Sequence, residues 1–181
     1  QRFADSEAMH KSALEIRKCL ADSNPLIYEP DLSDSYYNLG LLYRTTQRFT
    51  DSERMLKSAL EIRKRLAASN PQAYDSFLSN CYFSLGLLYS STQRFADSEA
   101  MHKSALEIRK RLADTNPHAY NPYLARSYHN LANLYSVTQR FTDSEQMYNS
   151  ALEIYKRLMG ENSFIYGQNL ADCLFWFAHL Q

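Results

Sequence analysis

Apolar and polar residues alternate along this chain with the spacing of amphipathic helices. Around residue 40, Tyr36, Leu39, Gly40 and Tyr43 lie at positions i, i+3, i+4 and i+7, which places them on one face of a helix. The same pattern returns twice in full and once in part. It predicts a set of helices, named A helices here, at about 31–46, 77–92, 123–138 and, in part, 168–181.

A second helical pattern fills the segments between the A helices. From residue 49 to 67, a stripe of Ser52, Met55, Ala59, Ile62 and Leu66 is opposed by acidic and basic residues at i, i+4 spacing. The pattern predicts B helices at about 3–21, 49–67, 95–113 and 141–159. The basic cluster at 63–65 suits the C-terminal end of the helix dipole, and we expect it to lie in solvent.

The two patterns form an internal repeat. The triplet Gln-Arg-Phe begins at Gln1, Gln47, Gln93 and Gln139, a period of 46 residues, and residues 1–18 are identical to residues 93–110. A helix pair cannot bury both apolar faces alone, so stacked pairs are expected. We therefore predict one array over 1–181, with a B helix at 1–21, repeats at 31–67, 77–113 and 123–159, and a partial A helix at 168–181. A start inside a repeat motif is expected of a fragment.

The joints between the helices also follow a pattern. Asn-Pro-x-x-Tyr sequences at 70–74 and 116–120 separate a B helix from the next A helix and predict a short linker, because proline ends a helix. We expect Pro30 and Pro122 to occupy the first position of A helices, with Glu29 and Asn121 as caps. One A-helix position holds only small residues, which indicates a close helix crossing: Gly40, Gly86, Ala132 and Ala178.

The charge balance and the cysteines indicate which kinds of partner and site to expect. Lys and Arg together number 20, as do Asp and Glu, so the formal net charge is zero. A nucleic-acid or membrane-surface protein normally carries a basic excess, and we expect neither partner. The three cysteines have no metal-ligand spacing and are expected to be reduced thiols of a cytoplasmic protein.

Catalysis is not expected either. The five histidines fall on different helix faces, and the sequence has no glycine-rich phosphate loop, His-Glu-x-x-His or Cys-x-x-Cys motif. Cys81 and Cys173 align with Ser35 and Ser127, which indicates small residues at helix contacts. We expect no cofactor and no metal site.

The repeat resembles the tetratricopeptide repeat (TPR) signature W-x2-L-G-x2-Y followed by A-x3-F. Here it reads Tyr36-x2-Leu39-Gly40-x2-Tyr43, then Ser52-x3-Leu56. Tyr replaces Trp, Ser replaces Ala, and the period exceeds the common 34 residues. The longer period is similar to that of kinesin light chains and of bacterial TPR regulatory proteins. The resemblance implies an all-α, right-handed solenoid of antiparallel helix pairs, and a non-catalytic scaffold whose A helices line a concave groove for a protein or peptide.

One face of the A helices changes from copy to copy, whereas the B helices hardly change. Drift of a solvent-facing stripe would give mostly Lys, Glu and Gln, but this stripe is rich in aromatic, Asn and His residues, which suit a peptide surface. The sequence therefore predicts a peptide-binding groove lined by Asp34, Tyr37, Asn38, Leu41, Arg44, Asn80, Phe83, Leu87, Arg126, His129, Asn130 and Asn133. Trp176 fits either this groove or packing against a further helix.

Two functional alternatives remain open from the sequence. The chain is either a protein-binding scaffold or a structural or sensor module that regulates a fused effector domain. We also expect end-to-end self-association, because the terminal helices present apolar faces. In that association, Phe175 and Phe177 of one copy would meet Met9 and Leu14 of another.

Overall fold

The structure is a computed structural model that describes residues 2–180, with side chains from Asp5 onward. These residues form eight α-helices and no strand: α1 Arg2–Ser23, α2 Pro25–Thr45, α3 Phe49–Ser69, α4 Pro71–Ser91, α5 Phe95–Thr115, α6 Pro117–Val137, α7 Phe141–Glu161 and α8 Ser163–Ala178. The even-numbered helices are the A helices and the odd-numbered helices are the B helices. This arrangement confirms the predicted all-helical, solenoid-type fold. Within the described part of the chain, no helix is long and apolar enough to cross a membrane.

The chain divides into two compact units. Unit 1 covers residues 1–92 with α1–α4, and unit 2 covers residues 93–181 with α5–α8. Within each unit every helix packs against the next helix in the chain. The core of unit 1 includes Leu14, Leu39 and Ile62, and the cores of unit 2 include Leu131 and Tyr148. A single array over 1–181 stays a prediction.

The A helices begin about six residues earlier than predicted. Asn70 both ends α3, where its N–H bonds the Leu66 carbonyl, and starts α4, where its side chain accepts from the N–H of Ala73 at 3.2 Å. Asn116 and Asn162 cap α6 and α8 in the same way. One residue thus replaces the expected linker, and proline follows it at the first helical position of α2, α4 and α6.

The caps predicted further along are therefore wrong. Pro30 lies inside α2 and Pro122 inside α6, so Glu29 and Asn121 are helical residues and not caps. Asparagine occupies the N-cap position because its side chain accepts a hydrogen bond from an N–H group that the start of a helix leaves unpaired.

The turns from A to B helices depend on glutamine in a left-handed conformation. Gln47, Gln93 and Gln139 have φ values of 58°, 58° and 60°. At the first of these turns, the N–H of Arg48 bonds the Tyr43 carbonyl and the N–H of Gln47 bonds the Arg44 carbonyl. This is the bonding of a Schellman motif, which fixes the direction in which α3 leaves α2.

The small residues Gly40 and Ala132 lie at close helix crossings, as predicted, whereas Ala178 is exposed near the end of α8. A Cβ added to Gly40 would lie 2.8 Å from Leu56 Cγ and 3.2 Å from the Leu56 backbone nitrogen. At the same crossing Ser52 donates its hydroxyl to the Gly40 carbonyl at 2.8 Å. Ser144 does the same to Ala132 in unit 2. The serine that departs from the TPR signature thus bonds one helix to its neighbour.

Candidate functional site

The twelve predicted groove residues all lie on A helices, but they differ in exposure. In unit 1 they belong to α2 and α4, and in unit 2 to α6. Asn38 and Arg126 are exposed, whereas Phe83 is only 4% exposed and belongs to the core. The expectation that Phe83 contacts a ligand is therefore corrected, because a buried ring offers a ligand no surface. The other nine are half-buried: Asp34, Tyr37, Leu41, Arg44, Asn80, Leu87, His129, Asn130 and Asn133.

In unit 1 one arginine lies between α2, α3 and α4 and leaves only a small pocket of about 40 Å³ beside it. Arg63 is 2% exposed, and its Nη2 donates to Asp34 Oδ1 at 2.6 Å. Its Nη1 donates to the Phe77 carbonyl at 3.0 Å and to Cys81 Sγ at 3.2 Å, while the guanidinium carbon lies 4.4 Å from the centre of the Tyr37 ring. We call Arg63 with these four neighbours the Arg63 corner.

The Arg63 corner corrects two sequence expectations. Arg63 does not lie in solvent with its basic neighbours, since its planar donors have carbonyl, carboxylate and sulfur partners inside the unit. Tyr37 also has partners within the unit, because its ring lies against Arg63 and its hydroxyl bonds Ser84 Oγ at 3.0 Å. In unit 1, Asp34 and Tyr37 of the predicted stripe are therefore bonded within the unit, and Phe83 is buried in it.

The prediction that Cys81 and Cys173 lie at helix contacts agrees with the structure. All three thiols are free, and Cys81 and Cys173 are fully buried at helix contacts. Burial raises the pKa of the Cys81 thiol to about 11, against the opposing charge of Arg63. Burial also raises the pKa of Cys173 to about 12. Both side chains are therefore neutral thiols at physiological pH, unlike an activated nucleophile.

The equivalent region of unit 2 is a pocket. Positions that lie 46 residues or a multiple apart are repeat counterparts. By this rule Tyr155 replaces Arg63, His129 replaces Tyr37 and Asn169 replaces Phe77. Where unit 1 holds a guanidinium between two aromatic rings, unit 2 has a cavity of about 150 Å³. We call it the α6–α8 pocket.

Three helices of unit 2 line the α6–α8 pocket. Helix α6 contributes Arg126, His129, Asn130 and Asn133, four of the predicted groove residues. Helix α7 contributes Tyr155, which is 3% exposed, and α8 contributes Asn169 and Asp172. The structure thus brings the predicted unit 2 residues together at one concave place, and their role in binding stays a prediction.

Two asparagines in the pocket are oriented by bonds to their own unit. Asn130 Nδ2 donates to the Arg126 carbonyl at 2.8 Å, which leaves its Oδ1 as an acceptor. Asn133 Oδ1 accepts from the Tyr148 hydroxyl, which leaves its Nδ2 as a donor. Because they are three residues apart on a helix, these groups lie on one face and form an acceptor and a donor one turn apart.

The charges of the pocket are balanced. Arg126 and Asp172 contribute one charge of each sign, and Asp172 Oδ1 accepts from Gln168 Nε2 at 2.7 Å. Burial lowers the pKa of His129, against the opposing effect of Asp172, so its ring is neutral at pH 7. The lining therefore offers both donors and acceptors without a net charge.

Tyr155 and Asn169 were not among the residues predicted from the sequence. The signal was present in the B helices, which carry Arg17, Arg63 and Arg109 at one repeat position and Tyr155 at the fourth. Arg17 and Arg109 bond the same +14 carbonyl and +18 side chain as Arg63 does. Among the described residues, no group of three or more His, Cys, Asp or Glu side chains could hold a metal ion.

Comparison with known proteins identifies similar repeats. Residues 31–111 and residues 124–164 match two family models, both described as tetratricopeptide repeat. The crystal structure of BtubC (BKLC) from P. vanneervenii has a similar fold, with a TM-score of 0.66 and 24% sequence identity. The match covers 89% of this chain and 60% of BtubC, so this chain spans less than two thirds of that protein. No curated protein sequence matches the chain.

Proposed function

Because the chain belongs to the tetratricopeptide repeat family, a family of protein-interaction scaffolds, we propose that it is a non-catalytic module that binds a segment of another protein. The α6–α8 pocket is the principal contact, and the segment lies along the exposed faces of α6 and α8. The zero formal net charge favours a protein over nucleic acid or an anionic membrane, both of which attract basic surfaces. The three free cysteines suit a cytoplasmic protein.

The observation that supports this proposal is the pair of oriented amides in the pocket. Asn130 presents an acceptor and Asn133 presents a donor, and each amide is held by its own unit. A protein segment presents donors and acceptors of both kinds, in its backbone and in its amide side chains. Amides fixed before binding cost little entropy to order when a ligand arrives.

The first test is peptide selection on the full chain. A displayed library of random peptides is selected against the protein, and the best peptides are titrated by calorimetry. Asn130→Ala should weaken their binding by about 1–3 kcal/mol, the penalty for leaving a buried polar group unpaired. Its effect on thermal unfolding should be small, because Asn130 is outside the core clusters.

Leu131→Ala is the matched control for Asn130→Ala. Leu131 is 1% exposed and belongs to a unit 2 core, so its truncation should cost about 2–5 kcal/mol of stability through a cavity. Peptides that bind Asn130→Ala as tightly as the parent would show that the pocket is not their site. Unfolding of Asn130→Ala would show that the residue is structural.

A second candidate function, end-to-end association of copies, has support from the exposed faces of α1 and α8. Ile16 on α1 is 63% exposed, whereas its repeat counterpart Ile62 is 7% exposed in the unit 1 core. On α8, Phe175 and Trp176 are 56% and 51% exposed. In α3, the face that carries Ile62 packs against α2, which is an A helix. The equivalent face of α1 is exposed, and α8 of a second copy, also an A helix, could pack against it.

The exposed residues that could form such a contact differ from those expected. Leu14 is 4% exposed and Phe177 packs against a unit 2 core, so both are occupied within their own units. The α1 side of the association would be formed by Met9 and Ile16. Ile16→Glu should shift sedimentation toward the monomer if copies associate through this face, and an unchanged association would exclude it.

A further inference from the structure

We propose that the α6–α8 pocket receives a carboxamide side chain, Asn or Gln, of the bound segment. This inference rests on the proposed function, since it specifies which side chain of the protein ligand enters the pocket. It differs from that function in naming a neutral polar group instead of a charged or an apolar one.

The size of the pocket suits such a group. A cavity of about 150 Å³ is large enough for a benzene molecule, and a Gln side chain is no larger than such a ring. The lining residues exclude an apolar occupant on chemical grounds. A leucine in this place would leave Asn130 Oδ1 and Asn133 Nδ2 without partners, and a buried polar group without a partner is costly.

The charge of the lining argues against an ionised occupant. A carboxylate facing Arg126 would also face Asp172, and an ammonium or guanidinium facing Asp172 would also face Arg126. Neither ion would be neutralised, because the rest of the lining consists of amides, a phenol and a neutral imidazole. Taking an ion out of water without a net counter-charge is unfavourable.

A carboxamide matches the oriented asparagines. Its NH₂ group donates to Asn130 Oδ1, and its carbonyl accepts from Asn133 Nδ2. Both bonds are available because the other atom of each asparagine amide is already bonded within unit 2. Unit 1 offers no equivalent place, since the guanidinium of Arg63 occupies the space between Tyr37 and Phe77.

The test uses capped amino acids as probes of the full chain. The ¹⁵N-labelled protein is titrated by NMR with the N-acetyl, N-methylamide derivatives of Gln, Glu, Lys and Leu. Capped Gln should bind with a Kd about three- to tenfold lower than each of the other three, the effect expected of one net hydrogen bond. Its shift changes should centre on Asn130, Asn133 and Tyr155.

Two phenylalanine variants locate the binding. Asn169→Phe introduces the residue type that unit 1 has at the counterpart position, Phe77. Its ring should fill the pocket and abolish the shift changes caused by capped Gln. Asp31→Phe introduces the same ring at a repeat counterpart on α2, outside the pocket, and should leave them unchanged. Both positions are exposed, so neither substitution removes a core side chain.

Three results would overturn the proposal. They are equal or tighter binding of capped Glu or capped Lys, shift changes that persist in Asn169→Phe, and tighter binding of free glutamine than of its capped form. The last would identify a small zwitterion as the ligand instead of a protein side chain.

The failure of this inference is distinguishable from failure of the proposed function. If capped Gln is not preferred while selected peptides still lose affinity in Asn130→Ala, only the side-chain assignment falls. If capped Gln binds selectively but selected peptides are insensitive to Asn130→Ala, the pocket chemistry stands and the proposed function falls.

Discussion

The Arg63 corner and the α6–α8 pocket are the same part of the repeat built with different side chains. In unit 1, an arginine of the B helix reaches between two A helices and bonds both of them. In unit 2, Tyr155, His129 and Asn169 stand at the corresponding positions and leave about 150 Å³ open. The helices around both places have the same lengths and order up to α8.

The difference shows how an array of near-identical repeats acquires one distinct place. The arginine supplies buried bonds that hold neighbouring helices, so a repeat that loses it loses those bonds. Such a repeat gains a concave surface, on which Asn130 Oδ1 and Asn133 Nδ2 can bond a ligand. Cohesion and binding are therefore alternatives at this position of the repeat, with Arg63 of unit 1 representing the first and Tyr155 of unit 2 the second.

Removal of the guanidinium from unit 1 should have the largest effect. Arg63→Ala leaves Asp34, Cys81 and the Phe77 carbonyl without their partner and opens a cavity. We expect a loss of about 3 kcal/mol in the free energy of unfolding, measured by urea denaturation. Arg65→Ala is the control: it is 59% exposed in its ion pair with Glu29 and should cost less than about 1 kcal/mol. Equal losses for the two variants would mean that the Arg63 corner does not stabilise unit 1.

The second-largest effect is expected from acid, which should destabilise unit 2 more than unit 1. At one B-helix position α3 of unit 1 has Leu56 and α5 of unit 2 has His102, both buried. Burial lowers the pKa of His102 from 6.5 to about 4, so the unfolded chain binds a proton more readily than the native one. Stability is therefore full above pH 6.5 and falls as the pH drops towards 4, by about 3 kcal/mol in total.

Hydrogen exchange can follow this loss unit by unit. Amides of α5 and α6 should lose protection between pH 6.5 and 4 once intrinsic exchange rates are taken into account, whereas those of α2 and α3 should lose less. His102→Leu installs the unit 1 residue and should remove most of the difference. A parent protein whose two units respond equally to acid would contradict the assignment.

The smallest effect concerns the charge at the edge of the Arg63 corner. The Asp34 side chain is 46% exposed, so its bond with Arg63 is partly screened by solvent. Asp34→Asn keeps an acceptor and removes the charge, and we expect a loss of about 1 kcal/mol or less. The loss should shrink in high salt. A loss as large as that of Arg63→Ala would show that the ion pair, and not the other bonds of the guanidinium, holds the corner.

Most of the fold could be predicted from the sequence because periodicity is a direct signature of helix. The apolar spacing around Leu39 and Ile62 placed the helices, and the small residue at Gly40 marked their crossing. The start of each A helix was misplaced, because the proline rule identifies where a helix stops but not that Asn70 caps the next one at once. The capping bond to Ala73 depends on local geometry that no spacing reveals.

The site was predicted in part. Variation among A helices identified Arg126, His129, Asn130 and Asn133, which line one pocket. The same criterion included Tyr37 and Phe83, because variation alone does not separate a surface from a contact that changes its packing. Tyr155 was missed because the B helices were treated as constant. Tyr155 matters because the other repeats have an arginine at its position, and that arginine bonds neighbouring helices. The sequence spacing alone does not show those bonds.

The single asparagine between each B helix and the next A helix has a consequence for how such a chain can change its length. Asn70 completes one helix and starts another, so no residue there is free to absorb an insertion. One added residue in a helix would turn all following side chains by about 100° and move the apolar stripe off its neighbour. The four copies accordingly keep a 46-residue period without a gap. A chain built in this way can grow or shorten by whole periods, and variety enters through substitution at fixed positions.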